Sequence, residues 1–219
     1  MDADETRARA AVVAAARELD AQGLNRGTSG NVSLRWRDGL LITPSGVPSA
    51  RMGEADVVFL AMDGGFDHPL SPSSEWRFHR DILREKPAVN AVVHAHPDHC
   101  TAFAMCRKTI PAVHYMIAAV GGPTIRCSGY ATFGTEDLSR LALEALEDRN
   151  GCLLANHGMI ATGPNLPKAL WLAVEMESLC RQYAVALQVG TPVVLSDAEI
   201  ARNVEKFRSY GPRATASDG

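Results

Sequence analysis

The sequence predicts an α/β fold in which a central sheet lies between two layers of helices. Segments with helical periodicity alternate with short apolar segments of strand character along nearly the whole chain. The loops between them are short, and the sequence contains no internal repeat and no low-complexity segment. This mixing of helices and strands is typical of a layered sheet with helices on both faces, although it leaves the direction of the strands open.

The length and composition indicate one folded unit. The chain has 219 residues, of which 46% are hydrophobic and 21% are charged, and these values are close to the average for globular proteins. A chain of this length buries a sizeable core without division into two units. We expect a single domain over residues 1–219, with a loose tail at 210–219.

The first elements are a helix and a β-hairpin. Residues 5–22 form an amphipathic pattern, and Gly23 is a plausible end for the predicted helix. A turn rich in Gly, Ser, Thr and Asn follows. The alternating apolar residues after it, interrupted by Asp38-Gly39, predict a hairpin.

The rest of the chain continues the alternation. Buried strands are predicted at 56–61, 90–95 and 152–156. Between the first two, an N-capping Ser and Pro87 bound a predicted helix over 74–86. Four further helices are predicted, at 98–106, 135–148, 167–188 and 196–208.

Charge and targeting signals exclude several classes of protein. The net charge of −3 provides no general attraction to nucleic acid or to an anionic membrane surface. The acidic start lacks the order of a secretory signal, and no apolar run approaches the roughly 18 residues of a membrane span. Five cysteines without a C-x-x-C pair are typical of free thiols in a reducing compartment, so we expect a cytoplasmic protein.

An apolar strand that ends in His94-Ala95-His96 carries the strongest chemical signal in the sequence. Side chains alternate across a strand, so the two imidazoles project from the same face and can share one metal ion. His157 is the best third ligand, because it follows another apolar strand and precedes Gly158, which permits close approach. Any one of these histidines alone is as well explained as a polar residue at a strand end. Together they predict a zinc-type catalytic site with an open position.

The remaining histidines receive other interpretations. His79 lies on an otherwise charged helix face and His68 lies in a turn, so both are interpreted as surface residues. His99 lies just inside a helix start and is expected to point away from the two strand histidines. His114, beside Tyr115, either lines a site or packs.

Three short segments of small residues supply neutral hydrogen-bond donors at the ends of strands or helices. They are Gly27-Thr28-Ser29-Gly30-Asn31, Thr43-Pro44-Ser45-Gly46 and Pro72-Ser73-Ser74-Glu75. Each alone is an ordinary turn or cap, but the three together suggest a phosphate held by hydroxyls, backbone amides and a helix N-terminus, without a lysine. Walker-type and dinucleotide glycine patterns are absent, so nucleotide binding is disfavoured.

These segments, together with NAVVHAHPDHCTA, IPAVHYMIAAVGG, YATFGT and NHGMIATG, resemble the class II aldolase/adducin family. The likeness runs from about residue 7 to 211 in consistent order, and it is greatest to the L-fuculose-phosphate aldolases of that family. The resemblance implies a three-layer α/β/α sandwich with a largely antiparallel sheet. It also implies one Zn²⁺, or another divalent metal, per subunit, and a homotetramer with active sites between subunits.

The resemblance further implies roles for individual residues. The metal ligands are the residues at four matching positions, His94, His96, His157 and Glu75. Glu75 also serves as general base, and Tyr115 is the proton donor from a neighbouring subunit. The phosphate-binding positions are Thr28, Asn31, Ser45, Gly46, Ser73 and Ser74. Phe133 and Tyr210 line the aldehyde pocket.

The reaction implied is the reversible cleavage of L-fuculose 1-phosphate to dihydroxyacetone phosphate and a small aldehyde such as L-lactaldehyde. Within the family, the alternatives are a 5-deoxypentulose-1-phosphate aldolase, a sugar-phosphate epimerase or a dehydratase. Epimerases carry Asp at the position of Glu75, which favours an aldolase. A lysine Schiff base is rejected, because the four lysines stand in polar helix or loop settings.

Two other classes remain for comparison. The pattern His94-x-His96-x-Asp98-His99 also occurs in metallo-β-lactamase-type hydrolases, but those sites use a further late histidine, and none follows His157. Adducin-like interaction modules lack the metal histidines. Both observations favour an aldolase.

Overall fold

A seven-stranded sheet forms the centre of the protein in the computed structural model, which describes residues 2–208. Its strands are β1 (Asn31–Trp36), β2 (Gly39–Ile42), β3 (Val58–Ala61), β4 (Ala91–Ala95), β5 (Arg126–Cys127), β6 (Gly151–Leu154) and β7 (Gly158–Gly163). They lie in the order β3-β2-β1-β4-β7-β6-β5. All neighbouring strands are antiparallel except β5 and β6, which confirms the largely antiparallel sheet.

The hairpin predicted near the N-terminus is formed by β1 and β2. Trp36 pairs with Gly39 across a two-residue connection in which Arg37 has a φ of 49°. Gly39 is required by its neighbour, since a Cβ at this position would lie 2.3 Å from the carbonyl oxygen of Leu60 on β3. The hairpin places β1, and with it Asn31, directly beside β4.

Helices cover both faces of the sheet. They are α1 (Ala3–Ala21), α2 (Trp76–Glu85), α3 (Asp98–Met105), α4 (Glu136–Ala145), α5 (Leu166–Val189) and α6 (Asp197–Arg208). Apolar residues of α1, α3, α5 and α6 share one core with the sheet, whereas those of α2 and α4 share the other. Short 3₁₀ turns lie at Ser49–Arg51, Glu54–Asp56 and Tyr115–Val120. The predicted α/β/α sandwich is confirmed.

The alternation along β4 delivers a histidine to one of these two cores. Ala91, Val93 and Ala95 face the core that contains α1, α3 and α5, and Val92 faces the core that contains α2 and α4. His94 follows the alternation of Val92, and its ring makes an edge contact with Phe78 of α2. The period of two along the strand therefore places the His94 imidazole next to the start of α2.

The start of α2 corrects the prediction that a serine caps this helix. The helix begins at Trp76, and its N-cap residue is Glu75, which makes no side-chain capping hydrogen bond. The amide of Trp76 donates to the carbonyl oxygen of Ser73 at 3.0 Å, so residues 73–76 form a turn before the helix. The carboxylate of Glu75 is therefore not bound to its own helix.

The strand predicted at 152–156 also ends early. It stops at Leu154, because the amide of His157 donates to the carbonyl oxygen of Leu154 and closes a tight turn. Asn156 in this turn has a φ of 55°, a conformation that Asn tolerates better than most residues. Strand β7, which follows the turn, is absent from the sequence-based prediction.

Within residues 2–208, no helix combines the length and the apolar character needed to cross a membrane.

Candidate metal site and substrate pocket

Three histidines from two strands meet at one point of the sheet. His94 and His96 lie at the end of β4, and His157 lies in the turn between β6 and the neighbouring β7. Their ring centroids are 4.6 to 4.9 Å apart, and one nitrogen from each lies within 4.8 Å of the others. The antiparallel pairing of β4 with β7 brings together residues that are 61 to 63 positions apart in the chain, counted from His96 and His94 to His157.

The tautomer of His94 follows from its contact with the backbone. Its Nδ1 lies 2.9 Å from the carbonyl oxygen of Met159, which only accepts hydrogen bonds, so Nδ1 carries the proton. The Nε2 lone pair then faces His96 and His157. A backbone carbonyl on the far nitrogen is the usual support of a metal-binding imidazole.

His96 faces this lone pair at close range. Its Nε2 lies 2.8 Å from Nε2 of His94. Burial, with the nearby charges of His94 and His157, lowers the pKa of His96 to about 3, so the ring is neutral at physiological pH. Converging, unprotonated imidazole nitrogens are the donor set that zinc and related divalent ions bind.

Glu75 completes the cluster from the start of α2. Its Oε2 lies 3.1 Å from Nε2 of His94, and its Oε1 lies 3.2 Å from Nε2 of His157. Burial by itself raises the pKa of Glu75, but its close contacts with these two histidines outweigh that effect and hold the pKa far below its ordinary value. The carboxylate is therefore ionised.

One oxygen of this carboxylate has no hydrogen-bond donor. Oε1 of Glu75 is buried and lacks the geometry of a hydrogen bond with any residue in the described part of the chain. A buried acceptor of this kind is costly unless a cation or a proton occupies the space in front of it. The donor set of three imidazoles and one carboxylate thus fits a divalent metal ion.

Gly158 permits the close approach of the two strands at the site. A Cβ at this position would lie 2.4 Å from Cδ2 of His96 and 2.5 Å from the carbonyl oxygen of Ala95. Any side chain would therefore push His96 away from His157. This agrees with the prediction that Gly158 permits close approach beside His157.

A cavity of about 330 Å³ opens beside the cluster. It is lined by Glu75, His96 and His157, and also by all six predicted phosphate-binding residues, Thr28, Asn31, Ser45, Gly46, Ser73 and Ser74. Within residues 2–208, neither lysine nor arginine lines it. An anionic group in the cavity would therefore meet hydroxyls and backbone amides, as the three small-residue segments predict.

Asn31 has more partners than the sequence suggested. Its Nδ2 donates to Oε2 of Glu75 at 3.0 Å, and its Oδ1 lies 2.5 Å from Nε2 of His79. Both ends of its amide are thus engaged inside the protein. Its predicted contact with phosphate stays a prediction.

The interpretation of His79 as a surface residue is wrong. The side chain is fully buried, between α2 and β1, with Nδ1 2.7 Å from Oγ of Ser33. A signal for this was present, because Ile82 and Leu83 follow at the three- and four-residue spacings that define one helix face. The charged neighbours in the sequence concealed that face.

The structure also brings residues to the site that the sequence analysis missed. Tyr130, Ala131 and Asn156 line the cavity beside the predicted Phe133. Asn25 contacts the backbone of the histidine cluster, since its Oδ1 accepts a hydrogen bond of 3.3 Å from the amide of His96. Tyr130 and Ala131 lie within the YATFGT segment, so their position beside Phe133 was a usable signal.

Two predicted residues are not placed at the cavity. Tyr115 is half-exposed on a 3₁₀ turn and does not line it, so its role stays a prediction. Tyr210 lies outside the described residues. Phe133, in contrast, lines the cavity, and it is 64% exposed.

Asp98 and His99, the other two polar residues of the H-x-H-x-D-H pattern, have partners outside the histidine cluster. Asp98 lies 3.0 Å from the guanidinium of Arg26, and His99 binds Glu177 through Nδ1 at 2.7 Å. The three clustered histidines are therefore without the further ligands of a dinuclear hydrolase site.

The lysines offer no Schiff base at the cavity. Burial lowers the pKa of Lys86, which was expected to stand in a polar helix or loop setting like the other lysines. Its ammonium, however, donates to the carbonyl oxygens of Leu146 and Arg149. Within residues 2–208, no lysine lines the cavity.

A comparison with family models agrees with the geometry. The model described as Class II Aldolase and Adducin N-terminal domain matches residues 10–184.

Two curated relatives cover nearly the whole chain. A 5-methylthioribulose-1-phosphate/5-deoxyribulose-1-phosphate aldolase of Rhodospirillum rubrum is 52% identical over 203 residues, which are 93% of this chain and 92% of that protein. An L-fuculose phosphate aldolase of Escherichia coli K12 is 51% identical over 197 residues, which are 90% of this chain and 92% of that protein.

Among solved structures, an L-fuculose 1-phosphate aldolase superimposes with a TM-score of 0.90 at 35% identity. The match covers 95% of this chain and 98% of that one. The likeness therefore extends over the sheet and both helical layers.

Proposed function

Because the chain belongs to the class II aldolase and adducin family, and is an aldehyde-lyase of that family, we propose that it reversibly cleaves a ketose 1-phosphate to dihydroxyacetone phosphate and a small aldehyde. The observation that supports this most is the position of the three-histidine cluster. It lies with Glu75 at a cavity that is otherwise lined by uncharged residues, many of which carry hydrogen-bond donors. A metal and a phosphate would thus sit within the length of one small sugar.

Class II aldolases use a divalent metal, and we propose zinc at His94, His96, His157 and Glu75. Bound there, the ion would act as a Lewis acid toward the carbonyl and hydroxyl oxygens of the substrate. The chain itself supplies the ionised carboxylate of Glu75, of which one oxygen, Oε1, accepts no hydrogen bond from the described residues. In the direction of condensation, Glu75 removes a proton from dihydroxyacetone phosphate and returns it during cleavage.

The phosphate would be held without a formal positive side chain. Thr28, Ser45, Ser73 and Ser74 carry hydroxyls at the cavity, and Gly46 exposes backbone there. The start of α2 also lies at the cavity, and the positive end of a helix dipole favours an anion there. We propose that these groups bind the phosphate at the end of the cavity away from the aldehyde.

The aldehyde would occupy the part of the cavity near Phe133. Tyr130 and Asn156 line the same cavity and so belong to this pocket in our proposal. Tyr115 is proposed to reach the aldehyde oxygen from a neighbouring subunit and to donate its proton. This proposal includes a homotetramer with active sites between subunits.

Two kinds of substrate have comparable support. L-fuculose 1-phosphate, which releases L-lactaldehyde, is supported by the Escherichia coli relative and by the solved structure. A 5-deoxypentulose 1-phosphate or its methylthio counterpart is supported by the Rhodospirillum rubrum relative. The three aldehydes differ in polarity, since lactaldehyde carries a hydroxyl, acetaldehyde carries none and the methylthio aldehyde is larger and apolar.

Direct comparison of the three ketose phosphates tests the proposal. Purified protein is incubated with each at matched concentrations, and release of dihydroxyacetone phosphate is followed through a coupled reduction. We expect cleavage of at least one, with kcat/KM identifying the preferred aldehyde. Activity should vanish after chelation and return with zinc.

The same assay separates the other activities of the family. An epimerase would convert the sugar phosphate without releasing dihydroxyacetone phosphate, and a dehydratase would release water and retain the carbon chain. Turnover without carbon–carbon cleavage, or cleavage that survives complete metal removal, would contradict the proposal.

A further inference from the structure

A chain of buried polar side chains connects β1 and α2 to the carboxylate of Glu75. Ser33 Oγ lies 2.7 Å from Nδ1 of His79, whose Nε2 lies 2.5 Å from Oδ1 of Asn31. The Nδ2 of Asn31 lies 3.0 Å from Oε2 of Glu75. All four residues are buried, and Ser33 and His79 have no solvent exposure. Their hydrogen bonds therefore have no competition from bulk water.

The protons along this chain have one consistent arrangement. The ionised carboxylate of Glu75 only accepts, so Asn31 must present its NH₂ group to Glu75 and its carbonyl oxygen to His79. His79 must then donate from Nε2. Its Nδ1 is left as an acceptor for the hydroxyl of Ser33, which completes the chain.

The electrostatic environment agrees with a neutral ring at His79. Burial and then the charge of His94 lower the pKa of His79 to about 3, and the opposing effect of the Glu75 carboxylate is smaller. A neutral imidazole has one donor and one acceptor, and both are used here. A satisfied buried network of this kind holds its members in one orientation.

The two oxygens of Glu75 have different surroundings. Oε2 accepts the hydrogen bond of Asn31, whereas Oε1 has no hydrogen-bond donor among residues 2–208. Glu75 is also the N-cap residue of α2 and makes no capping bond with it. The hydrogen bond that holds Oε2 therefore comes from β1 and not from the helix that carries the carboxylate.

We infer that His79 is a positioning residue for the aldolase reaction. Through Asn31, His79 holds Oε2 of Glu75 in place. Oε1 is then left as the oxygen that exchanges protons with the substrate. This inference rests on the proposed role of Glu75 as general base. Ser33 donates to Nδ1 of His79 and is the outer end of the same chain of hydrogen bonds. Neither Ser33 nor His79 lines the cavity, so neither is placed to contact the substrate.

A matched pair of substitutions tests the inference. His79→Gln places an amide N–H near the position of Nε2 and retains the donor for Asn31. His79→Asn places its amide near Nδ1 and leaves Asn31 without a donor. We expect kcat to fall roughly 10-fold or more in His79→Asn and to stay near wild type in His79→Gln, because only the first loses the hydrogen bond that orients Asn31 toward the Glu75 carboxylate.

Further readouts separate positioning from structure. KM for the ketose phosphate and the zinc content should change little in either variant, since no phosphate or metal contact is removed. Ser139→Ala is the control, because Ser139 of α4 donates a buried hydrogen bond of 2.6 Å to Asp81 of α2, the helix that carries His79, and takes no part in the hydrogen bonds that lead to Glu75. It should lower thermal stability and leave kcat unchanged.

A spectroscopic measurement is independent of activity. In zinc-loaded wild type, ¹⁵N–¹H correlation of the imidazole should show His79 protonated at Nε2 and unprotonated at Nδ1.

Ser33→Ala is a second variant, which removes a single oxygen atom and should fold even if His79→Asn does not. It should also lower kcat, by a smaller factor than His79→Asn.

The outcomes are distinguishable from failure of the proposed function. If the wild type releases no dihydroxyacetone phosphate, the proposed function fails; if Glu75→Gln retains full activity, Glu75 is not the base, and this inference fails while the cleavage reaction stands. If Glu75→Gln is inactive but His79→Asn and Ser33→Ala keep the kcat of wild type, the inference alone fails. A protonated Nδ1 in His79 would also overturn it.

Discussion

His94 donates a hydrogen bond of 2.9 Å from Nδ1 to the carbonyl oxygen of Met159, and this contact decides which ring nitrogen is left for a metal ion. Met159 pairs with Ala95 in the register of β4 and β7. The pairing of two strands thus sets the tautomer of a proposed metal ligand. Sheet geometry and site chemistry are linked at this point.

Loss of one histidine of the cluster should remove the metal. His157→Ala deletes a side chain whose Nε2 faces Glu75 at 3.2 Å, and we expect metal affinity to fall by roughly 100-fold or more. Metal content after dialysis, measured by plasma mass spectrometry, checks this. His99→Ala is the control, because His99 binds Glu177 instead, and it should retain its metal. Stoichiometric metal in His157→Ala would exclude this ligand set.

Glu75→Gln should stop proton transfer while the substrate still binds. We expect kcat to fall by about 10² to 10⁴, the range for removal of a general base. Exchange of deuterium from solvent into dihydroxyacetone phosphate measures the same step without an aldehyde and should fall in parallel. Glu177→Gln, the same chemical change on α5 in a carboxylate that accepts from backbone amides at the start of α3, should lower stability only. Exchange at the wild-type rate in Glu75→Gln would assign the base elsewhere.

Ser45→Ala should weaken binding of the phosphate. Ser45 lines the cavity, and a lost hydrogen bond to a charged group corresponds to roughly a 10-fold rise in KM for the ketose phosphate. Inhibition by inorganic phosphate should weaken by a similar factor. Ser71→Ala is the matched control, because Ser71 is exposed on the neighbouring segment and does not line the cavity. Equal KM values for the two variants would remove Ser45 from the phosphate site.

Hybrid oligomers test whether Tyr115 acts across a subunit boundary. Glu75→Gln and Tyr115→Phe should each be nearly inactive alone. After joint refolding, mixed oligomers should regain activity, because some sites then combine an intact Glu75 with an intact Tyr115 from another copy. Tyr183→Phe, whose ring stacks on Phe103, should be fully active alone. If the mixed oligomers are no more active than the two single variants, Glu75 and Tyr115 of one site come from the same subunit.

The stability of the metal-free protein should depend on His79 as the pH falls. The folded-state pKa is about 3, below the ordinary value of 6.5, so between these values the unfolded chain binds more protons. The stability of the wild type is therefore full above pH 6.5 and declines toward pH 3, by about 2 kcal/mol at pH 5 from this residue.

Urea unfolding of wild type and His79→Gln from pH 7.5 to 5 checks this. The variant should show the shallower decline, because Gln does not titrate. Ser139→Ala should lower stability at every pH and keep the slope of the wild type. A common slope in wild type and His79→Gln would show that His79 is protonated in the folded protein.

Local patterns predicted much of this protein. The period of two along β4 was sufficient to place His94 and His96 on one face, and the hairpin followed from Asp38-Gly39 between alternating apolar residues. The small-residue segments predicted the cavity lining because each lies at the end of an element, where backbone amides lack partners. Such inferences need only geometry within a few residues.

Contacts between distant segments lay beyond those patterns. The sequence placed His79 on the surface because its helix neighbours are charged, whereas the packing of α2 against β1 buries it completely. Asn31 lies 44 residues from Glu75 and 48 from His79 in the chain. No periodicity spans such distances, so only the folded sheet reveals that Asn31 connects the two.

The three histidines and Glu75 were thus identifiable by residue type, spacing and family resemblance, since strand alternation and helix starts are local properties. The tertiary structure alone decided that β7 pairs with β4, that Met159 determines the tautomer of His94, and that Asn31 holds one oxygen of Glu75. These relationships depend on which strands become neighbours. That choice is made by burial of both faces of the sheet and not by any single segment.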